Sequence, residues 1–268
     1  MSPFVAVVAI LLVLMFLNHR RFRSILHEAD HQAGLIKRRV LPVPRRFRQI
    51  LLKYFPYYGK LSAADRKKFE KKIMKFIYGK RFIPRGVPEV TIEAKVLISA
   101  SAVQLTFGLP DITFAHFNKI LVYPNDYYSS ITKRYHKGEV NPRFGIIVLS
   151  WQSFIDGYIN NTDSFNLGLH EMAHALRLEN VIRNEEYNFI DAGLLAQFDQ
   201  FAHDFCRYPG AMATGLIRAY ACTNTHEFFS VSVENFFERP LALKQGIPVL
   251  YDLMSRLLNQ DPANLHAA

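Results

Sequence analysis

Residues 166–176 read Asn-Leu-Gly-Leu-His-Glu-Met-Ala-His-Ala-Leu, and the spacing His170-Glu171-x-x-His174 inside that run constrains the fold more than any other feature. Four residues make slightly more than one helical turn, so the two imidazoles project from one face and can grip a single metal ion. Glu171, beside the first histidine, can reach a water at the ion's open position without ligating the ion, which suits it to act as general base. Leu169, Met172, Ala173 and Ala175 are uncharged. A buried metal helix needs that, because an unpaired charge beside the ion is costly to bury. With 10 His and 23 Asp+Glu in 268 residues, the spacing arises by chance only about 0.03 times per chain. That favours a metal helix, with Zn2+ the ion such a donor set prefers, over two histidines packed in an ordinary amphipathic one.

Zinc at a catalytic site takes three protein ligands and leaves a fourth position to water. A histidine six residues after His174 would mark the metzincin type, but that position is Asn180. The third ligand therefore comes from further away, and Glu179, Asp191, Asp199, His203, His226 and Glu227 are candidates. Glu179, five residues past His174, points off the ligand face. Glu227 opens a very apolar helical run that extends to Glu238, where a carboxylate needs a partner. A metal would serve, and so would a capping box with Asn224. Glu234, two turns on, suits either an orienter of a ligand histidine or a member of a buried ion pair.

The net charge of +10 is concentrated in one segment. Residues 18–53 hold ten Lys/Arg against Glu28 and Asp30, a net of +8, while residues 54–268 carry 23 Lys/Arg against 21 Asp/Glu. A nearly neutral body argues against a nucleic-acid-binding domain, and no nucleic-acid partner is expected. The basic segment follows an uninterrupted apolar run from Phe4 to Leu17. As a helix those residues would span about 21 Å, short of a hydrocarbon core of about 30 Å. The uncharged stretch from Ser2 to Asn18 extends it, and Asn-His-Arg-Arg-Phe-Arg follows as a stop at an anionic face. The expectation is a membrane anchor over 1–18, a basic juxtamembrane linker over 19–50 and a catalytic domain over 51–268. Membrane contact would run through residues 4–48, with the domain on the cytoplasmic face of the inner membrane. Two cysteines, Cys206 and Cys222, are too few for a disulfide-stapled secreted fold and are compatible with a reducing compartment.

Within the body, Ser62 with Asp65 signals a helix start, and Phe69, Ile73, Phe76 and Ile77 form one apolar face as far as Gly79. A second helix is expected over residues 89–104. Ile120–Tyr123 and Gly145–Ser150 read as buried strands. Helices are expected over 166–178, 191–208, 224–238 and 249–259. This order is an α+β pattern, mostly helical with a small sheet and preceded by the N-terminal apolar helix. No strand leads into a glycine-rich phosphate loop, so a nucleotide enzyme has no support.

Several of these features together resemble the bacterial zinc metallopeptidases of the Mlc titration factor A type, the glucose-regulated metallopeptidases, which are related to the anthrax lethal factor catalytic domain. The resemblance covers roughly residues 55–260. It is carried by Leu61-Ser62, by Ile120–Tyr123 with Pro124, by the strand 146–151, and by Phe165-Asn166-Leu167 leading into the histidine pair. It is carried also by Tyr220 seven residues before Glu227, and by the run Glu227-x-Phe229-x-Val231-x-x-Glu234-x-Phe236-Phe237. It implies a zincin-like core, zinc held by His170, His174 and Glu227, Glu171 as base, and Tyr220 as hydrogen-bond donor to a developing oxyanion. It implies hydrolysis of a peptide or protein substrate, with aminopeptidase or endopeptidase action left open. Alternatively, it implies a regulatory protein that sequesters a transcriptional repressor, with zinc mainly structural. Arg177 and Thr225-His226 depart from the pattern, the former standing where relatives carry an acidic residue.

Overall fold

The computed structural model describes residues 42–129, 133–160, 162–182, 189–208 and 210–265. Val43–Ala268 form one compact unit. The apolar run expected as an N-terminal helix and anchor, and most of the basic linker, lie outside the described residues. Among the described residues, no helix is long and apolar enough to cross a membrane.

The unit opens with α1 (Arg45–Tyr54), which begins within the stretch read as linker and buries Ile50 and Leu51. The short turn of helix α2 (Pro56–Gly59) follows. Ser62 then caps α3 (Ala63–Gly79) by accepting the Asp65 N–H at 3.1 Å. Phe69, Ile73 and Phe76 turn inward from it as their spacing requires. Thr91 caps α4 (Ile92–Thr106) in the same way. Almost every residue of α4 is buried, as expected for a helix apolar on all sides. It packs against α1, α3 and the helix that carries the histidine pair.

The main sheet has four strands in the order β1-β2-β6-β5. Strands β1 (Arg81–Pro84), β2 (Lys119–Tyr123) and β6 (Ile146–Ser150) run parallel, and β5 (Gly138–Asn141) lies antiparallel on β6. Parallel neighbours need a crossover, and α4 supplies it between β1 and β2. A hairpin of β3 (Tyr127–Ser129) and β4 (Arg134–His136) forms a separate two-stranded sheet. Ser150 both ends β6 and caps α5 (Trp151–Ile159), with its side chain accepting the Ser153 N–H.

The remaining helices are α6 (Leu167–Ile182), α7 (Ala192–Arg207), α8 (Thr225–Glu238), α9 (Pro240–Gly246) and α10 (Pro248–Leu258). Helix α6 is the histidine helix. It packs most extensively on α8, and also against α4, β5 and β6. Among the described residues nine phenylalanines are fully buried, and three of them, Phe228, Phe229 and Phe236, belong to α8. Cys206 on α7 and Cys222 in the 3-10 turn Ala219–Thr223 are joined as a disulfide, a pairing that spacing alone does not reveal. The fold is thus mostly helical with a small sheet, as the sequence pattern indicates.

Candidate metal centre

Asn166 begins the site. Its side-chain oxygen accepts the Leu169 N–H at 2.9 Å and so caps α6, fixing the rotation of the helix that carries His170 and His174. One turn apart, the two rings bring their Nε2 atoms to 3.1 Å from each other. Asn224 does the same for α8 by accepting the Glu227 N–H at 2.9 Å. The capping reading of Glu227 is therefore correct for its backbone, while its carboxylate turns to the histidines. Glu227 Oε2 lies 3.2 Å from His170 Nε2 and 3.4 Å from His174 Nε2.

These three donors form a near-equilateral triangle. A tetrahedral ion with ligand bonds of 2.0–2.1 Å holds its donors about 3.3 Å apart. Glu227 Oε2 is buried and has no hydrogen bond of proper geometry. An orphaned carboxylate oxygen is costly to bury, and a cation shared with two imidazoles removes that cost. Among the described residues, His170, His174 and Glu227 are the group able to hold a metal ion. The residues fit the group that the donor set calls for.

The other candidates lie elsewhere. Glu179 is buried and accepts the His116 N–H. Asp191 caps α7 through the Leu194 N–H, and Asp199 pairs with Arg177. His203 is exposed beside Asp204. His226 adjoins Glu227 but does not join the triangle; its pKa is lowered by burial and by the neighbouring Arg177 and His174. Arg177, the departure from the family pattern, forks onto Asp199 and donates to the Thr225 carbonyl, which ties the start of α8 to α6.

Glu234 is buried at 1% exposure and accepts from His170 Nδ1 at 2.5 Å. It fixes the ring so that Nε2 faces the triangle. Arg218 forks onto Glu234 at 2.8 and 2.9 Å, donates to the Ser164 carbonyl and lies over the Phe165 ring. Sequence reasoning missed Arg218. Its one signal is proximity to Tyr220, two residues on.

Electrostatics follow from this crowding. Burial works against a charged His170, but the Glu227 and Glu234 carboxylates outweigh it and push the ring up to about 10. Burial would raise Glu227, yet the two histidines hold it far below the usual carboxylate range. Glu171 is 5% exposed, and burial raises its pKa against the opposing pull of both histidines. Tyr220 is half exposed, with its ring centroid 6.4 Å from that of His170. Burial and the Glu227 charge push its hydroxyl up to about 12, so it keeps its proton and can donate.

Residues 27–258 match the family described as glucose-regulated metallo-peptidase M90. An uncharacterized protein of Synechocystis is 26% identical over 240 residues, covering 82% of this chain and 86% of the relative. Mlc titration factor A of Serratia proteamaculans is 30% identical over 197 residues, covering 65% and 74%. The protein of that name from an Enterobacter strain is 26% identical over 229 residues, covering 77% and 83%.

Proposed function

The chain belongs to the glucose-regulated metallo-peptidase M90 family, and from that membership we propose that it is a zinc-dependent peptidase with a zincin-like core. The observation that carries the proposal is the triangle of His170, His174 and Glu227 donors, with an orphaned carboxylate oxygen at one corner. Bound there, zinc would supply Lewis acidity and bring the pKa of a coordinated water down to about 7. His170 and His174 would hold it through Nε2 and Glu227 through Oε2. Glu234 keeps the His170 proton on Nδ1, and the Arg218 fork holds the Glu234 carboxylate in place. Glu171 takes a proton from the attacking water and passes it to the leaving amine, a role favoured by its buried position and raised pKa. Tyr220 donates to the oxyanion as it develops.

The test is Glu171→Gln. The variant should bind zinc as the wild type does and lose hydrolysis of a casein or peptide-library substrate by several orders of magnitude. Wild-type turnover by the zinc-loaded variant would sink the role.

A second reading rests on the relatives' name. Proteins called Mlc titration factor are named for titrating Mlc, and this chain would correspondingly bind a regulator, with zinc holding the domain together. Under that reading Glu171→Gln still complements a deletion phenotype. Under the peptidase reading it does not. The same proposal keeps the tether: residues 4–48 would hold the domain at the cytoplasmic membrane face, and membrane fractionation of the full chain checks this.

A further inference from the structure

Strand β5 meets the histidine helix at Gly138. A Cβ placed on Gly138 would lie 2.5 Å from Glu171 Oε1 and 2.6 Å from its Cδ and Cγ, and these are the three nearest heavy atoms. Non-bonded carbons sit comfortably at about 3.5–4.0 Å, so a side chain at 138 and the present position of Glu171 are incompatible. The glycine is not there for its backbone, because Gly138 is outside the left-handed region that Gly86, Gly145 and Gly215 occupy.

What would yield is settled by how each partner is held. The strand is fixed by its ladder to β6, with Gly138 opposite Leu149, and by the Ser150 N–H donating to the Lys137 carbonyl at 2.7 Å. Beyond Gly138, Glu139 accepts from the Tyr127 hydroxyl. The Glu171 carboxyl, by contrast, ends a side chain with rotatable bonds and accepts no hydrogen bond from the described residues. A methyl at 138 therefore displaces the carboxylate more readily than the strand.

We propose that Gly138 is a positioning residue for Glu171: the bare backbone of β5 lies on the carboxyl group and confines it to the one place from which it serves the site. The inference rests on the reading of Glu171 as base and deepens it.

The experiment is Gly138→Ala in the full chain. In a crystal structure of the metal-free variant, the Glu171 carboxylate should shift by about 1 Å while β5 keeps its register. An unmoved carboxylate with a displaced strand overturns the proposal. A misplacement of that size costs about 100-fold in turnover, so kcat should fall by that factor with KM and zinc content unchanged. Adding Gly138→Ala to Glu171→Gln should cost nothing more, and a further loss in that background also overturns it. Should Gly138→Ala fail to fold, the Gly138→Ala/Glu171→Ala double variant removes the three atoms nearest the new methyl and must fold. Its failure places the clash elsewhere and refutes the inference. A displaced carboxylate in a protein whose wild type hydrolyses nothing refutes the peptidase reading and supports the contact between Gly138 and Glu171.

Discussion

Arg218→Ala isolates the coupling between His170 and its support. In the native protein, Glu234 is almost fully enclosed and faces two cationic groups: the Arg218 fork on one side and the His170 ring on the other. Removing one partner of a buried ion pair typically costs about 3–5 kcal/mol. A quarter of the Arg218 side chain meets water, with 24% exposure against 1% for Glu234, so the low end, about 3 kcal/mol, is expected. Loss of an outer partner of a ligand histidine lowers metal affinity by about 10–100-fold, equivalent to about 1.4–2.8 kcal/mol. The assays are urea unfolding of the zinc-free protein and chelator competition for zinc. Arg218→Lys should fall between the two, because lysine keeps the charge and loses the two-pronged geometry. A folded Arg218→Ala protein with wild-type zinc affinity would refute the claim that Arg218 acts on the site through Glu234.

Three further outcomes are expected. Tyr220→Phe should keep zinc and lower kcat by about 10²–10³-fold, as expected for one oxyanion donor, which steady-state kinetics will read; an unchanged kcat would make Tyr220 a surface residue only. Burial pushes Glu238 up to about 7 from 4.5 against donors from Asn166 and Ser164. A carboxyl that holds its proton more tightly when folded loses stability as pH rises, here between about 4.5 and 7, by at most about 3 kcal/mol. Glu238→Gln should therefore flatten the pH dependence of unfolding in that window, and an unchanged slope would show that Glu238 is not its source. Reducing the Cys206–Cys222 bond, which closes a loop of sequence separation 16, should lower stability by about 3 kcal/mol, checked by unfolding with and without dithiothreitol.

The histidine helix, the apolar helix of Glu227 and its Asn224 cap were legible because their signals are periodic and local. One helical turn sets the His170–His174 spacing, and another sets the Asn224–Glu227 cap. Glu234 follows Glu227 by two turns, so both carboxylates share a face. The sequence pointed to the parallel strands β2 and β6 because each is a continuous apolar run. By contrast, β5 reads Gly-Glu-Val-Asn and is half-buried throughout, with no alternation to betray it. The hairpin strands are three residues each. Helix α5 was hidden because Ser150 ends a strand and starts a helix at one residue. Arg218 is one cation among 33, sixteen residues from its partner and on a different element. Nothing periodic links them, and only the packing of the 3-10 turn on α8 brings them together. Gly138 is silent for a similar reason: its meaning lies in what stands opposite it, 33 positions along the chain.

The central claim is that His170, His174 and Glu227 hold one zinc. Metal analysis of the purified full chain, run in parallel on wild type, His170→Ala and Glu227→Ala, tests it most directly. The account predicts one zinc per wild-type chain and none in either folded variant. Zinc retained at full stoichiometry and affinity in Glu227→Ala, or absent from the wild type after zinc reconstitution, would contradict it.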